Sequence, residues 1–388
     1  MNYAYVSSLL LYFALSIQGS HFRGGTITWK PIINDVGNAT TISIMITQTY
    51  SWTKSDVACT DSMIATQSPA INLGTKSGAG VKLTCISDCT TTGGYIGNEV
   101  PITGYCTDYS TPMSLTVSQR SDIVNLTVGA YFTARFYTTG GWQTLALGSS
   151  TGWSLSVTID LRPRSDTGLI NTPPVATCIS FISIPVNVQQ TIRIPVLDAD
   201  DDYIKCRYAS GSAECYNTCP PGSLPAGTSI STSCVLTITG PTAGAYYLVA
   251  LQVEDFISNT STSRLSSVPI QFLIYVYNAP ACSLKPLLIA NFEAGGCLGA
   301  QVGQSFTMEF VVINQCGSGR TITDIGTLSF PIVLKGALIQ NTTNTTIYTM
   351  KITWVPTVNE VGSQVFCAVA IDRSIKFVVE INFQCIIF

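Results

Sequence analysis

The chain has 388 residues, of which 46% are hydrophobic and 11% charged, and its net charge is −3. This length exceeds one ordinary domain, and the apolar content is enough for two or three modest cores. Nucleic acid is excluded as a partner because the sequence has no basic stripe. After residue 20 no stretch reaches the roughly 18 uninterrupted apolar residues of a membrane span, so we expect no membrane span.

Residues 1–20 indicate a secretory signal peptide. Their apolar core, Leu9–Leu15, is too short to cross a bilayer and is followed by small and polar residues up to Ser20. The segment before this core has no Lys or Arg, and a buried N-terminal strand is the alternative. Fourteen cysteines behind such a leader predict structural disulfides and a secreted, extracellular protein, or a cell-surface protein if the chain is a fragment.

Five Asn-x-Ser/Thr sequons fit the same compartment and are predicted glycosylation sites. They begin at Asn38, Asn125, Asn259, Asn341 and Asn344. The last two lie in a polar loop between apolar runs, which makes them the most favourable acceptors.

Short runs rich in Thr, Val, Ile and Tyr dominate the sequence and predict strands. Examples are Thr41–Ile46, Leu155–Ile159 and Thr191–Val196, which alternate in polarity and are bounded by Gly, Pro, Asn and Asp. Long amphipathic helical patterns are missing from the sequence. The predicted fold class is all-β, built from tandem disulfide-stapled β-sandwich modules of immunoglobulin-like type.

An internal repeat predicts the number of modules. Gly244–Glu254 aligns without a gap on Gly362–Asp372, and Gly129–Phe136 is a third, shorter copy. Each copy is a glycine turn followed by an alternating strand, so we expect three modules. Proline-containing junctions place them at residues 21–165, 172–278 and 280–388.

The cysteines divide unevenly among these modules. The first has four, Cys59, Cys85, Cys89 and Cys106; the second has five, Cys178, Cys206, Cys215, Cys219 and Cys234; and the third has five, Cys282, Cys297, Cys316, Cys367 and Cys385. Two odd counts predict a bridge across the second junction, or two free or intermolecular thiols.

Adjacent predicted strands make Cys367 with Cys385 the most secure disulfide prediction. In the second module two patterns stay open: Cys215 bonded to Cys219, or each of them bonded to Cys206 or Cys234. The Cys-x-x-x-Cys pairs at Cys85 and Cys215 are also zinc-like in spacing, but an oxidising compartment favours disulfides.

The second and third modules resemble extracellular immunoglobulin-like folds that include cadherin repeats and hyalin-type repeats. Pro173-Pro174, Ile194–Asp202 and the strand that ends in Glu254-Asp255 carry this resemblance. The first module, with His21–Pro31 and Cys106–Ser110, looks like the N-terminal part of a family of animal secreted or cell-surface proteins. The resemblance implies an ectodomain and assigns no catalytic residue.

The acidic run after the strand at residue 196 predicts a calcium site. Alternation places Asp198, Asp200 and Asp202 on one side of an extended loop, and Ca²⁺ prefers such hard oxygen ligands. Asp255, with Glu254 and Asn171, is expected to complete the site. Cadherin repeats are similar in having an Asp-x-Asp at a comparable place. The alternative is a solvated acidic turn.

Catalysis has few candidate groups in this sequence. His21 is the single histidine, which excludes a two-histidine metal site and leaves a Ser-His-Asp triad dependent on an N-terminal residue. Acidic residues are sparse and lie mostly at turns, whereas a carboxylate-dependent hydrolase needs two acids positioned beside a cleft. We therefore expect a protein that is not an enzyme.

Four tryptophans concentrate in the first module: Trp29, Trp52, Trp142 and Trp153. They serve either as core residues or as anchors for a sugar or protein surface.

The sequence predicts two alternative functions. The first is a non-enzymatic adhesion or recognition protein, a rod of three modules that binds extracellular proteins or glycans. The alternative is a carbohydrate-binding, lectin-like protein or a carboxylate-dependent glycosidase, which requires an exposed tryptophan row.

Overall fold

A computed structural model describes most of the chain. It covers residues 22–70, 80–90, 93–177, 180–279, 282, 284–292, 298–317, 320–328, 331–361, 365–372 and 379–380. Regular structure in these residues is almost entirely β, with two five-residue helices and one 3₁₀ turn. The protein is therefore an all-β fold with several disulfides, as the sequence predicts. The predicted signal peptide and His21 lie outside the described residues.

The N-terminal part contains seven strands and a short helix. These are Phe22–Pro31 (β1), Thr41–Thr53 (β2), Asp61–Ala65 (α1), Thr84–Ser87 (β3), Tyr105–Ser110 (β4), Leu115–Thr127 (β5), Tyr131–Gly141 (β6) and Thr151–Asp160 (β7).

The middle part adds nine strands and a second helix. These are Val175–Ala176 (β8), Ile182–Pro185 (β9), Gln190–Arg193 (β10), Val196–Leu197 (β11), Tyr203–Tyr208 (β12), Gly211–Cys215 (α2), Ser229–Ile230 (β13), Val235–Ile238 (β14), Tyr246–Phe256 (β15) and Ser266–Tyr277 (β16).

The C-terminal part contains eight strands and the 3₁₀ turn. These are Leu287–Ala290 (β17), Phe306–Ile313 (β18), Ile322–Leu328 (β19), Val333–Lys335 (β20), Ile339–Gln340 (β21), Ile347–Trp354 (β22), the turn Val358–Glu360, Cys367–Asp372 (β23) and Val379–Glu380 (β24). Strands β6, β15 and β23 lie in the three copies of the repeat.

Strand β16 joins the first two predicted modules. One edge of β16 pairs with β15 over ten residues, and the other edge is shared by β7, β1 and β9. An 11-stranded sheet results, with β3-β6-β7-β16-β1-β2-β5-β4 as its main path. The segments predicted as modules 21–165 and 172–278 thus form one unit with a shared sheet.

Two glycines allow β1 to lie this close to its neighbours. A Cβ on Gly24, where φ is +141°, would lie 2.2 Å from the carbonyl oxygen of Gln271. A Cβ on Gly25 would lie 2.6 Å from the carbonyl oxygen of Thr49. The Gly24-Gly25 pair therefore lies within a strand, because only glycine fits between β16 and β2.

One hydrophobic core runs from Phe22 to Val276 and contains all four N-terminal tryptophans. The ring of Phe22 stacks on Trp153 at a centroid distance of 3.6 Å and also contacts Trp52 and Trp142. Aromatic side chains of this size bury a large area each and dominate the stability of a core. The interpretation of these tryptophans as core residues is confirmed.

The C-terminal part has its own core between two sheets. One sheet contains β17, β18, β20, β21 and β22, and the other contains β19, β23 and β24. Phe310 and Ile352 from the first sheet pack in the same cluster as Ile325 and Ala368 from the second.

A mixed apolar and ionic contact fastens the C-terminal part to strands β4 and β5. Met113 and Leu115 pack with Val369 and Ile371 in a separate small core. Beside it, Lys335 Nζ lies 2.7 Å from Asp108 Oδ1, and Asp108 Oδ2 accepts from the backbone N–H of Thr327 at 2.9 Å. Burial raises the pKa of Asp108 against the lowering effect of Lys335.

Five disulfides lie within the described residues. They join Cys59 to Cys106, Cys85 to Cys89, Cys206 to Cys234, Cys215 to Cys219, and Cys282 to Cys316. The structure thus selects the short-range pattern in the second module and forms disulfides at both zinc-like pairs. Cys385 lies outside the described residues, so the predicted bond to Cys367 does too; the same holds for Cys178 and Cys297.

No helix among the described residues is long and apolar enough to cross a membrane.

Replacing Lys335 by Met should destabilise the protein by about 3 kcal/mol, because the buried Asp108 carboxylate loses its counter-ion. The matched control is Lys82→Met, since Lys82 is half exposed and lies 3.9 Å from Glu99. This control should cost less than about 1 kcal/mol. Urea unfolding of both variants measures the difference, and equal costs would show that the buried pair does not hold the two parts together.

Candidate functional site

The acidic run Asp198–Asp202 forms a tight turn. Asp198 Oδ1 accepts the backbone N–H groups of Asp200 at 2.9 Å and Asp202 at 3.2 Å, and Asp201 has φ of 58°. The expectation of an extended loop with three aligned carboxylates is therefore wrong, because the Asp198 side chain itself closes the turn. Asp198 and Asp202 stay together, whereas Asp200 accepts from the N–H of Thr172 at 2.7 Å.

Strand β15 supplies the third acid of the cluster. Asp255 has no exposed surface; its Oδ1 accepts from the backbone N–H of Ser266 at 2.6 Å and its Oδ2 accepts from Asn171 Nδ2 at 2.6 Å. Oxygen atoms of Asp198, Asp202 and Asp255 lie within 4.8 Å of one another. Sequence reasoning named all three, and the structure brings them together.

The side chain of Glu254, the neighbour of Asp255, points away from the acid cluster. Its Oε1 accepts from Arg207 Nε at 3.0 Å and Arg264 Nη1 at 2.9 Å. Because successive side chains on a strand point to opposite faces, Glu254 cannot join the cluster that contains Asp255. The expectation that Glu254 would act as a ligand there is wrong.

Arg164 supplies a positive charge that the sequence analysis missed. Its guanidinium donates to Asp202 Oδ1 at 2.7 Å, Asp166 Oδ2 at 2.8 Å and Asn171 Oδ1 at 3.1 Å. Hydrogen bonds to Asp166 and then to Asp202 raise the pKa of Arg164. The available signal is the sequence Arg164-Ser165-Asp166, in which an arginine and an acid stand close enough to pair.

Asp198 carries the unpaired group of the site. The residue is 6% exposed, and its Oδ2 has no hydrogen-bond partner. Burial and the neighbouring Asp255 charge raise the pKa of Asp198 to about 7. A buried, unpaired carboxylate oxygen is costly, and either a proton or a metal ion at this position relieves the repulsion.

The residues present fit a calcium ion. Two ligand oxygens on one Ca²⁺ lie at most about 5 Å apart, since each Ca–O distance is about 2.4 Å. The oxygens of Asp198, Asp202 and Asp255 meet this limit, while Asp200 is not in the group. A bound Ca²⁺ would supply positive charge to a cluster in which Arg164 offsets only part of the carboxylate charge.

A second feature is a crevice at the meeting point of the three parts of the chain. It has a cavity volume of about 110 Å³ and lies on the face of β1, β2 and β5 opposite the tryptophan core. The segment 172–177 and Leu197 form one wall, and Leu328 and Val365 form another. Lys30 is its only charged lining residue, and none of the described lining residues is an acid.

Both sets of candidate side chains are shielded. Asp255 is fully buried and Asp198 is 6% exposed. The four tryptophans are each at most 1% exposed. The predicted alternative of an exposed sugar-binding tryptophan row is therefore wrong, because these rings fill the core of the large unit.

Comparison with known proteins gives no assignment. No protein-family model matches the chain, and no curated protein matches it. The function therefore has to be argued from the geometry above.

Millimolar Ca²⁺ should raise the melting temperature of the full chain, because an ion that binds only the folded state at 100 times its Kd stabilises that state by about 2.7 kcal/mol. Equal Mg²⁺ should have a much smaller effect, since it requires near-octahedral geometry. Asp198→Asn should abolish the Ca²⁺ effect while melting no lower than wild type in chelator. Identical melting of wild type with Ca²⁺ and with chelator would contradict the site.

In chelator, the free energy of unfolding should fall as the pH rises from 5 to 8. The pKa of Asp198 is about 7 in the folded state and about 3.9 in an unfolded chain. The folded state therefore holds the proton more tightly, and this stabilisation is complete below about pH 4 and lost as the pH passes 7. The loss from this group should be on the order of 2 kcal/mol. Asp198→Asn should unfold with a shallower pH dependence; an unchanged slope would contradict the raised pKa.

Proposed function

We propose that this is a secreted, non-enzymatic recognition protein that binds an extracellular partner. The observation that carries the proposal is the crevice between the large unit and the C-terminal part, which is open but has no acid, histidine or cysteine among its described lining residues. Such a surface offers hydrogen bonds and apolar contact without groups for acid–base or nucleophilic chemistry. The buried acids, in turn, serve the fold.

An extracellular compartment is consistent with the five disulfides and with the placement of the sequons. All five asparagines are exposed. A glycan on any of them would extend into solvent without disturbing a core. Disulfides of this number persist in oxidising environments.

Contact between the parts of the chain favours recognition by a block of fixed shape. Besides the Asp108–Lys335 pair, Lys30 Nζ donates to the carbonyl of Val361 at 2.5 Å across the crevice. A preorganised cleft loses less conformational entropy on binding than a mobile one.

The expected result with the purified full chain is saturable binding to at least one member of a panel of extracellular proteins and glycans. No turnover is expected on chromogenic glycosides or polysaccharides, because the buried acids cannot contact a substrate. Surface plasmon resonance and a reducing-sugar assay measure the two outcomes. Turnover that is lost in Asp198→Asn would overturn the proposal, as would silence across a broad panel by a monomeric protein.

A further inference from the structure

The floor of the crevice is a ladder of hydroxyl and amide side chains. Across the paired strands, Thr28 lies opposite Thr47 and Thr47 opposite Ser121, while Thr26 lies opposite Thr49 and Thr49 opposite Gln119. The first row is satisfied internally: Thr47 and Ser121 hydroxyls are 2.9 Å apart, and Thr28 donates to the carbonyl of Pro174 at 3.3 Å.

The second row is incomplete. Thr26 donates to the carbonyl of Pro269 at 2.8 Å, but the buried amide oxygen of Gln119 has no hydrogen-bond partner among the described residues. Gln119 is 9% exposed and lines the crevice. Native proteins pair nearly all buried polar groups, because each unpaired one costs about 1–3 kcal/mol.

Gln48 shows that the same sheet can satisfy a buried glutamine. On the neighbouring strand and the opposite face, Gln48 Nε2 donates to the carbonyl of Pro101 at 3.0 Å and its Oε1 accepts from Tyr50 at 2.8 Å. The amide oxygen of Gln119 has no such partner. A ligand group that matches an amide side chain carries both a C=O and an N–H, as a peptide bond does.

The side chains of the crevice walls indicate which other groups the ligand should carry. Pro173, Val175, Leu197 and Leu328 present an aliphatic surface, and Lys30 is the only charged residue among the described lining residues, with the Glu360 carboxylate acting on it from outside the lining. The ammonium of Lys30 has three N–H donors, and the structure pairs one with the carbonyl of Val361. An anionic group near Lys30 and apolar side chains against the walls would complement this lining.

We propose that the crevice binds the C-terminal end of an extended, aliphatic partner polypeptide, with a backbone amide on Gln119 and the terminal carboxylate at Lys30. Lys30 pairs with Met45 on β2, and Gln119 pairs with Thr49. These positions are four residues apart along β2 and two strands apart across the sheet, which gives a separation of about 16 Å. About five extended residues span this length. The inference rests on the proposed recognition function and names its ligand.

The test measures binding of an N-acetylated Val-Val-Ala-Leu peptide to the full chain by isothermal titration calorimetry, beside the same peptide with a C-terminal amide. The free carboxylate should bind at least about tenfold more tightly, a difference of about 1.4 kcal/mol. Lys30→Met should remove this preference. Equal affinity of the two peptides for wild type would overturn the role of Lys30.

Gln119→Leu should weaken binding of the carboxylate peptide at least about tenfold and leave the melting temperature equal or higher, because an unpaired buried amide is replaced by an apolar group. A residue with a purely structural role would show the opposite pattern. The matched control is Gln304→Leu, at an exposed turn outside the crevice, which should leave binding unchanged. Unchanged binding by Gln119→Leu would overturn the proposal.

Different results would contradict the proposed recognition function and the proposed peptide ligand. One possible result is that the peptide does not bind up to millimolar concentration while a protein or glycan from the extracellular panel does. This result would overturn the peptide ligand and leave the recognition function standing. Catalytic turnover would overturn the recognition function whatever the peptide does.

Discussion

The pairing of β16 with four other strands is the constraint on which the rest of the structure depends. Its backbone hydrogen bonds reach β15 on one side and β7, β1 and β9 on the other. Central strands of this kind are buried on both faces, and β16 has only one residue that is not fully buried, Tyr275. Since β1 comes from the start of the described chain, this pairing merges distant segments into one core.

The position of the crevice follows from that merger. When β1 is held by β16, the face of β1, β2 and β5 that does not carry the tryptophans is turned toward the segment 172–177. The C-terminal part closes the remaining side through Lys335, Asp108 and the apolar contacts of β5 with β23. Ligand sites tend to lie at such junctions, because three surfaces enclose a ligand better than one.

In the acid cluster, most of the buried carboxylate oxygens are paired with a cation or accept a hydrogen bond. Arg164 neutralises Asp166 and Asp202, Asn171 and Ser266 satisfy Asp255, and the turn N–H groups satisfy one oxygen of Asp198. The other oxygen of Asp198 is left over. Burial and the neighbouring Asp255 charge raise the pKa of Asp198, and this raised pKa couples the stability of the fold to pH.

The sequence by itself determined the all-β class, the presence of structural disulfides and the three acids of the cluster, because period-2 alternation, cysteine number and residue chemistry are local properties. It did not determine that Gly24 lies between two strands, that Arg164 enters the acid cluster, or that Gln119 faces a crevice without a partner. Each of these depends on which segments meet across distances in sequence that run from 38 residues, for Arg164 and Asp202, to more than two hundred, for Gly24 and β16. Only the tertiary structure decides such contacts, because many pairings of similar β segments satisfy the same local pattern.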